Sequence, residues 1–409
     1  MFSRLGRMAT LLVATALAAH AGAAPLRSDF ELGGQWKTNS AARLMAGLAP
    51  LYPGHFNFAQ TDAWKEHSAA MQSGWAQLRA GRVAAMTSWR DEELSRACPV
   101  GKTLLYPFSG PDFFNAYWLF PACETFVMFG LEHVGEVPDL EAMSERELVR
   151  LMADVRAATA DLFQRNYFIT ENMSKQLYTA QLRGVLPLFM ISMALSGMEI
   201  LRFAPQQLGP ATEEPDLASL PETAPRRSLR KPRGISIEFR APGSPLVRRV
   251  IYFSVDATDS SLALYPEFLS LLRKLGPTTT LVKSASYLLH SREFSKLRTV
   301  LLNVSGFLVQ DDSGLPYKML VSRGWRFRLH GTYAVPIPPF EGAYQPALQA
   351  AYRRQQPEPL PFDFGYHFQD KRDTRANVMV GRKTAQRSLA SLSRPQRGLQ
   401  LKTTNVRLR

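Results

Sequence analysis

The stretch from Leu104 to His133, LLYPFSGPDFFNAYWLFPACETFVMFGLEH, decides the prediction of the fold. Its first three residues are typical of the end of a buried strand, and the turn-forming run Ser109-Gly110-Pro111-Asp112 follows closely. A second apolar run, Thr125 to Leu131, ends at Glu132-His133. Short polar loops that follow hydrophobic strands are where α/β proteins commonly place ligand sites. The stretch therefore predicts two strands of an α/β protein, each followed by candidate site residues.

Strands and helices alternate in the second half of the chain, which favours a parallel sheet. The last part of this half departs from the alternation. The predicted strands are 248–253, 279–282 and 307–309, the predicted helices are 266–275 and 294–304, and they are followed by an antiparallel pair at 326–329 and 332–337, a helix at 345–353 and a proline-broken aromatic strand at 357–368.

The first half carries helical patterns on both sides of the opening stretch. Apolar residues recur at three- and four-residue steps from Asp62 to Leu94, and Gly81 divides this pattern into two predicted helices. Ser144 begins a capping-box signature for a further helix. The apolar run 184–203 is interrupted by proline and glycine and falls short of a membrane span. It is predicted to be a buried helix or a helix–strand pair.

A change of character at 204–234 predicts a domain boundary. Six prolines, an acidic pair and a basic pair replace any periodicity there. Each half begins with a similar short motif, which suggests a weak internal duplication of one α/β unit, although chance similarity explains the motif equally well. The predicted organisation is a signal peptide at 1–23, a helical plus α/β domain at 24–204, a proline-rich linker at 205–234, an α/β domain at 235–370 and a basic disordered tail at 371–409.

The N-terminus has the pattern of a secretory signal peptide. Arg4 and Arg7 precede an apolar segment at 8–19, and small residues that fit a cleavage site follow. The chain is therefore predicted to be exported to the periplasm or beyond, without a transmembrane span in the mature protein. An uncleaved membrane anchor is the alternative, but the apolar segment is shorter than a span.

The positive charge of the chain is concentrated near its C-terminus. The net charge is +14, and residues 376–409 contain eight Lys or Arg residues and no acid. Without that segment and the two arginines of the signal, the charge falls to +4. The tail is predicted to hold anionic lipid or glycan through salt-sensitive attraction, and no specific nucleic-acid partner is expected. A solvated end without a partner is the alternative.

Several motifs together resemble a known type of protein. They are YPFSGPD at 106–112, an FP pair and GLE-x-x-G shortly after it, and VQDDSGLPY at 309–317. In this combination the chain resembles an uncharacterised family of exported bacterial proteins, over most of the residues from Trp64 to Tyr366. That family has no established activity, so the resemblance implies export but assigns no catalytic role.

Polar residues cluster after four of the predicted strands. If the two halves share a cleft, these clusters face one another, and their carboxylates could bind a divalent cation or act as an acid–base pair on a glycan. Aspartates beside turns also cap helices and close Asx-turns, which is the structural alternative. The candidate binding residues are Ser109, Asp112, Asn115, His133, Asp256, Asp259, Gln310, Asp311 and Asp312.

Motifs for several common chemistries are absent from the sequence. The serine elbow Gly-x-Ser-x-Gly, the phosphate loops of nucleotide-binding proteins and the zinc patterns CxxC and HExxH do not occur. The sequence therefore predicts no cofactor and no metal. Whether the chain is an enzyme stays open at this stage.

Three functions fit these observations. The leading hypothesis is an exported envelope protein that binds an anionic or carbohydrate ligand in a cleft between two α/β units. The first alternative is an envelope hydrolase that uses Asp112 with a carboxylate of the second half, and the second is a scaffolding protein docked by its basic tail. The distance from Asp112 to Asp256 and to Asp311 and Asp312 separates binding from hydrolysis, because an enzyme needs two titratable groups near one reacting centre.

The two cysteines of the chain, Cys98 and Cys123, flank the first polar turn. An exported protein meets an oxidising compartment, so the sequence predicts a disulfide bond between them. That bond would close a loop holding residues 106–112, and two unpaired cysteines are the alternative.

Overall fold

The computed structural model describes residues 29–98, 102–168, 170–208, 232–368 and 376–383. The predicted signal peptide, most of the proline-rich segment and the last 26 residues lie outside these ranges. Within them, no helix combines the length and the apolar character that crossing a bilayer requires.

The described strands form one mixed sheet of nine strands in the order β3-β4-β5-β2-β1-β6-β7-β9-β8. The five central strands, from β5 to β7, run parallel, and the pairs at both flanks are antiparallel. The α/β class predicted from the sequence is confirmed. The strands are β1 (Thr103–Pro107), β2 (Thr125–Gly130), β3 (Glu199–Gln207), β4 (Arg233–Arg240), β5 (Val247–Ser254), β6 (Thr278–Val282), β7 (Ser305–Gln310), β8 (Trp325–Gly331) and β9 (Asn377–Lys383).

Helices cover both faces of this sheet, so the protein has three layers. The central strands are buried on both sides, and successive residues of β1 alternate between the two cores: Leu104 and Tyr106 face one, Leu105 the other. The helices are α1 (Asp29–Met45), α2 (Phe56–Ala59), α3 (Asp62–Leu78), α4 (Ala84–Glu93), α5 (Phe113–Leu119), α6 (Glu145–Gln164), α7 (Thr170–Gln176), α8 (Leu186–Leu195), α9 (Asp259–Leu264), α10 (Pro266–Lys274), α11 (Ser295–Val304), α12 (Tyr317–Val321) and α13 (Pro346–Gln355).

The helical patterns at 62–94, after Ser144 and within 184–203 form helices as predicted, whereas α5, α7 and most of α1 were not predicted. The pattern from residue 62 to 94 gives α3 and α4, which are joined at Gly81 by a π-helical turn, Arg79–Val83, rather than by a break. Ser144 caps α6 with both hydrogen bonds of the capping box. The apolar run 184–203 is the predicted helix–strand pair, α8 followed by β3.

The two predicted halves contribute to the same sheet. β1 and β2, from the first half, lie between β5 and β6, from the second half. β3 and β4 pair directly with each other and include both ends of the proline-rich segment 205–234, with Gln207 opposite Arg233. This segment therefore connects neighbouring strands, and the sheet is not divided there.

Three predictions for the end of the chain need correction. Residues 332–337 are not a strand, and the partner of β8 is β9, with Leu329 opposite Met379. Residues 357–368 contain a 3₁₀ turn instead of a strand. The segment 371–409, predicted to be a disordered tail, contains β9, because the apolar run Val378-Met379-Val380 fills the space between β7 and β8.

The predicted disulfide is confirmed. Cys98 and Cys123 are bonded, with a Cα–Cα distance of 5.3 Å. The loop that it closes holds β1, the turn after it and α5. The amide of Cys98 also donates to Thr279 Oγ1 of β6 at 2.8 Å. This hydrogen bond holds the segment before β1 beside β6.

Candidate functional site

The parallel sheet has a topological switch point between β1 and β6, where the order in which the chain adds strands reverses. From β1 the chain continues through α5 to β2 on one side, whereas β6 lies on the other side of β1. In open α/β sheets, the crevice beyond the carboxyl ends of two such strands is where ligands bind. The candidate site is therefore the set of side chains beyond the ends of β1 and β6.

Asp112 lies in the turn after β1 and is 2% exposed. It caps α5 by accepting a hydrogen bond from the amide of Asn115 at 3.3 Å, and the Asn115 side chain donates to the same oxygen at 2.8 Å. Its other oxygen accepts from the Tyr106 hydroxyl at 2.8 Å and lies 2.9 Å from Lys283 Nζ. Asp112 thus joins the ends of β1 and β6 through charge-assisted hydrogen bonds.

Lys283 follows β6 directly and is 2% exposed. Besides Asp112, its ammonium group contacts the backbone carbonyl of Asn166, and it lies 5.9 Å from the centre of the Phe364 ring. Burial lowers the pKa of Lys283 because it disfavours the charged form, while the charges of Asp112 and Asp311 oppose this effect. The lysine is held in the interior by one carboxylate and one carbonyl group.

Arg82 reaches the same region from the π-helical turn between α3 and α4. Its two terminal nitrogens donate to the carbonyl groups of Arg165, at 2.6 Å, and Leu162, at 2.5 Å. Burial lowers the pKa of Arg82 to about 10, against the attraction of Asp112 and Asp363. π-Helical turns are frequently found at functional sites, so we include Arg82 in the candidate site.

Asp311 lies beyond the end of β7, on the far side of Lys283. One carboxylate oxygen accepts from the amide of Ser284 at 2.8 Å, and the other accepts from the amide of Ser313 at 2.9 Å. Burial, and next the charge of Asp312, raise the pKa of Asp311 to about 6. A Cβ atom at Gly365 would lie 2.4 Å from the carboxylate, so only glycine fits against it.

Aromatic side chains cover the crevice. The Tyr366 hydroxyl donates to the carbonyl of Ser284 at 2.6 Å and accepts from the amide of Ser286 at 3.0 Å. Its ring contacts Tyr167 edge-on, with centroids 5.1 Å apart, and stacks on Phe340 at 5.9 Å. Burial raises the pKa of Tyr366 to about 12. The segments that follow α6 and α13 therefore meet beside the loop after β6.

Backbone strain is concentrated at the same strand ends. Phe108, after β1, has φ +57°, and Ser284, Ser286 and Tyr287, after β6, have φ between +48° and +53°. Side chains other than glycine rarely adopt this region, at a cost of roughly 1–2 kcal/mol each. Strain of this kind persists where the surrounding contacts determine the backbone, as they do at ligand sites.

Buried polar atoms without a hydrogen-bond partner among the described residues lie around Asp112 and Lys283. They are Asn115 Oδ1, both side-chain amide atoms of Asn166, Arg82 Nε and Ser284 Oγ. Asn115 and Asn166 are adjacent, because the Asn115 amide nitrogen donates to the Asn166 carbonyl at 3.1 Å. A buried polar group without a partner costs about 1–3 kcal/mol, so a cluster of them calls for an explanation.

Gln310 and Asp312 hold the loop after β7. Both side-chain atoms of Gln310 bond to the backbone of Leu315 at 2.8 Å. The Asp312 carboxylate accepts from Asn377 at 2.9 Å and from the Tyr287 hydroxyl. Both candidates have structural partners, and Asp312 ties the loop after β7 to β9.

Asp256 and Asp259 lie away from the crevice. The Asp256 carboxylate accepts from the amide of Thr258 at 2.9 Å, which is an Asx-turn, and Asp259 accepts from the amide of Lys296 at 2.8 Å. Asp256 follows β5, which lies two strands from β1, about 10 Å at the usual strand spacing. Asp311 lies on the opposite side of β1, where its charge raises the pKa of Lys283, whereas Lys283 pairs directly with Asp112.

The two remaining candidates do not contact Lys283. The Ser109 hydroxyl is buried and donates to the Phe129 carbonyl at 3.4 Å. His133 is exposed and packs edge-on against Tyr178, with ring centroids 5.4 Å apart. The neighbouring Glu132 is buried instead, and burial raises the pKa of its carboxyl group.

The sequence reasoning missed most of the crevice. Of the candidates, Asp112, Asn115 and Asp311 lie in it, while Lys283, Tyr106, Asn166, Arg82 and Tyr366 were not predicted. Lys283 gave one signal, a charged residue directly after the short predicted strand 279–282. Among the described residues, no three His, Cys, Asp or Glu side chains are grouped to hold a metal ion.

Comparison of the chain with protein-family models, with curated protein sequences and with solved structures gives no match.

Proposed function

We propose that this chain is an exported envelope protein that binds a small neutral carbohydrate at the carboxyl ends of β1 and β6. The observation that carries the proposal is the set of buried amide atoms of Asn115 and Asn166 that lack a partner among the described residues. A bound ligand that pairs with them removes an energetic cost that the free protein bears.

The types of these atoms favour a hydroxylated ligand. Asn115 Oδ1 and Asn166 Oδ1 accept hydrogen bonds, Asn166 Nδ2 and Arg82 Nε donate them, and Ser284 Oγ does both. A hydroxyl group donates and accepts at the same time, so neighbouring hydroxyls of a sugar match such a mixture. The rings of Phe364 and Tyr366 nearby supply the apolar surface that small-ligand sites require.

Charge favours a neutral ligand over an anionic one. Arg82 and Lys283 are the two cations of the crevice, and Asp112 already pairs with Lys283 at 2.9 Å. Asp311 and Asp363 add further carboxyl groups, and burial raises the pKa of both. An anion would meet cations whose charge is largely balanced, so it would gain little from them.

Export is supported by two features. The Cys98–Cys123 disulfide suits an oxidising compartment, and residues 1–23 carry the signal-peptide pattern, although they lie outside the described residues. Residues 384–409, also outside the described ranges, retain six Lys or Arg residues and no acid. We propose that they attract anionic lipid or glycan of the envelope at low salt.

Calorimetric titration with defined probes tests the binding. The neutral probes are erythritol, D-glucose, N-acetyl-D-glucosamine and cellobiose, and D-glucuronate is the anionic one. Binding of at least one neutral probe more tightly than glucuronate is expected. If glucuronate binds best, the proposed preference for a neutral ligand is wrong, and if no probe binds, the proposed function is not supported.

Two asparagine variants form a matched pair for the same titration. Asn166→Ala removes two unpartnered amide atoms and leaves the backbone carbonyl that contacts Lys283. We expect it to weaken binding roughly 30-fold, for two hydrogen bonds worth ~2 kcal/mol together, without lowering the free energy of unfolding. Asn377 is buried with both amide atoms bonded to Asp312 at 2.9 Å, so Asn377→Ala is expected to destabilise the fold. A destabilised Asn166→Ala with unchanged binding would contradict the proposal.

A carbohydrate hydrolase is the second candidate, and the raised pKa of Asp311 favours it. A carboxyl group that titrates at about 6 suits a general acid, and Asp112 lies across Lys283 from it. However, Asp311 accepts hydrogen bonds from the amides of Ser284 and Ser313, which is the role of a loop clamp. Release of 4-nitrophenol from 4-nitrophenyl glycosides by the wild type, and its loss in Asp311→Asn and Asp112→Asn, would decide for hydrolysis.

A further inference from the structure

Lys283 combines full burial with an acid–base partner. Its ammonium group lies 2.9 Å from the Asp112 oxygen that also accepts from the Tyr106 hydroxyl at 2.8 Å. A lysine, an aspartate and a tyrosine thus share one carboxylate oxygen beyond the ends of β1 and β6. The ammonium group is close enough to the carboxylate to give it a proton directly.

Lysine is an unusual choice for a purely structural ion pair in the interior. Arginine suits buried pairs better because its charge is fixed and its planar group binds a carboxylate through two hydrogen bonds. A buried lysine is instead suited to chemistry, because removal from water favours the neutral amine, which is the nucleophile. The pKa of Lys283 is lowered in this way, with burial as the main cause.

The surroundings of Lys283 also suit a carbonyl compound. The unpartnered amide atoms of Asn115 and Asn166 lie within the same cluster, since Asn166 contacts Lys283 through its carbonyl and Asn115 bonds to Asp112. A sugar held by these amides would present its carbonyl carbon near the amine. The Phe364 ring, 5.9 Å from the ammonium nitrogen, faces the position where a cation would form.

We propose that Lys283 is a nucleophilic amine that forms an imine with the carbonyl group of an aldose or ketose bound in this crevice. The inference rests on the proposed function and names its ligand class more narrowly. The Lys283 ammonium group first gives one proton to Asp112, and the neutral amine then bonds to the carbonyl carbon while a second nitrogen proton passes to the carbonyl oxygen, which becomes a hydroxyl. Asp112 returns its proton to that hydroxyl, which leaves as water, and a protonated C=N bond replaces the C=O bond. Nothing is oxidised or reduced.

Reductive trapping tests the imine. The full chain is incubated with D-erythrose and sodium cyanoborohydride, and the modified lysine is identified by peptide mass spectrometry. We expect an adduct on Lys283 that forms at least tenfold faster than adducts on exposed lysines such as Lys65, whose side chain is 58% exposed. Lys283→Arg keeps the cation beside Asp112 and is expected to lose this adduct, while Lys65→Arg is expected to keep it.

Erythritol separates this inference from the proposed function, because it carries the hydroxyls of erythrose without a carbonyl group. If erythritol binds by calorimetry and erythrose leaves Lys283 unmodified, the imine is refuted and the binding function stands. If neither compound binds and no adduct forms on Lys283, both fail. Equal labelling of Lys283 and of exposed lysines in the wild type also refutes the inference, and this readout does not depend on the folding of any variant.

Discussion

Asp311 makes the stability of the protein depend on pH in a predictable direction. Its pKa is raised from 3.8 to about 6 in the folded state, by burial first and by the charge of Asp312 second. Between these two values the folded protein holds a proton that the unfolded chain has released, so the free energy of unfolding falls as pH rises. A shift of this size corresponds to about 3 kcal/mol, present below pH 4 and lost by about pH 7. Asp311→Asn removes the titrating group and should remove this contribution.

Urea denaturation at pH values from 4 to 8 measures the effect. The difference in free energy of unfolding between the wild type and Asp311→Asn is expected to change by about 3 kcal/mol across this range, in favour of the wild type at low pH. Asp312→Asn is the matched control: it removes a neighbouring charge and should make the pH dependence shallower without abolishing it, since burial is the larger cause. A difference between wild type and Asp311→Asn that stays constant from pH 4 to 7 would refute the reasoning.

Three further changes test the framework of the site. Replacing Cys98 and Cys123 by serine should lower the free energy of unfolding by about 3–4 kcal/mol, because the bond closes a loop over a separation of 25 residues; a loss under ~1 kcal/mol in urea denaturation would contradict this. Lys283→Met should cost about 3–5 kcal/mol by leaving Asp112 without its paired ammonium, and adding Asp112→Asn should recover part of that loss; additive losses would argue against coupling. Deleting the chain from the first residue of β9 onward should abolish the cooperative thermal transition, whereas deleting only the residues after β9 should preserve it; a folded product of the first deletion would show that β9 is dispensable.

Local patterns in the sequence were sufficient for most of the secondary structure. β1 and β2 are short, mostly apolar runs, β6 is a run of β-branched residues and leucine after Gly276-Pro277, and the helix from Glu145 to Gln164 begins at a complete capping box. The π-helical turn at Gly81 was predicted as a break, because a glycine inside a helical pattern does not distinguish the two outcomes. These elements depend on contacts within a few residues, which is why one sequence was enough to place them.

The arrangement of the strands depends on distant contacts and was not predicted. β9 is a short apolar run in a basic segment, and it forms a strand because β7 and β8 provide partners on both sides. The proline-rich segment 205–234 has the composition of a linker between domains, yet β3 and β4 pair across it. Composition describes how a segment behaves alone, whereas pairing depends on what lies next to it.

The side chains of the crevice likewise depend on contacts between residues that are distant in the sequence. Asp112 was a candidate because an aspartate after a strand is visible in the sequence, but the residue that gives it a chemical role, Lys283, is 171 positions away and follows a strand of the other half. Asn166 carries no signal at all, since an asparagine after a helix is ordinary until its amide is found buried without a partner. Its importance arises only when the end of α6 is packed over the ends of β1 and β6. A charged residue directly after a short predicted strand is the sequence signal that points to Lys283, because a buried strand of a parallel sheet ends at the edge where ligand sites form.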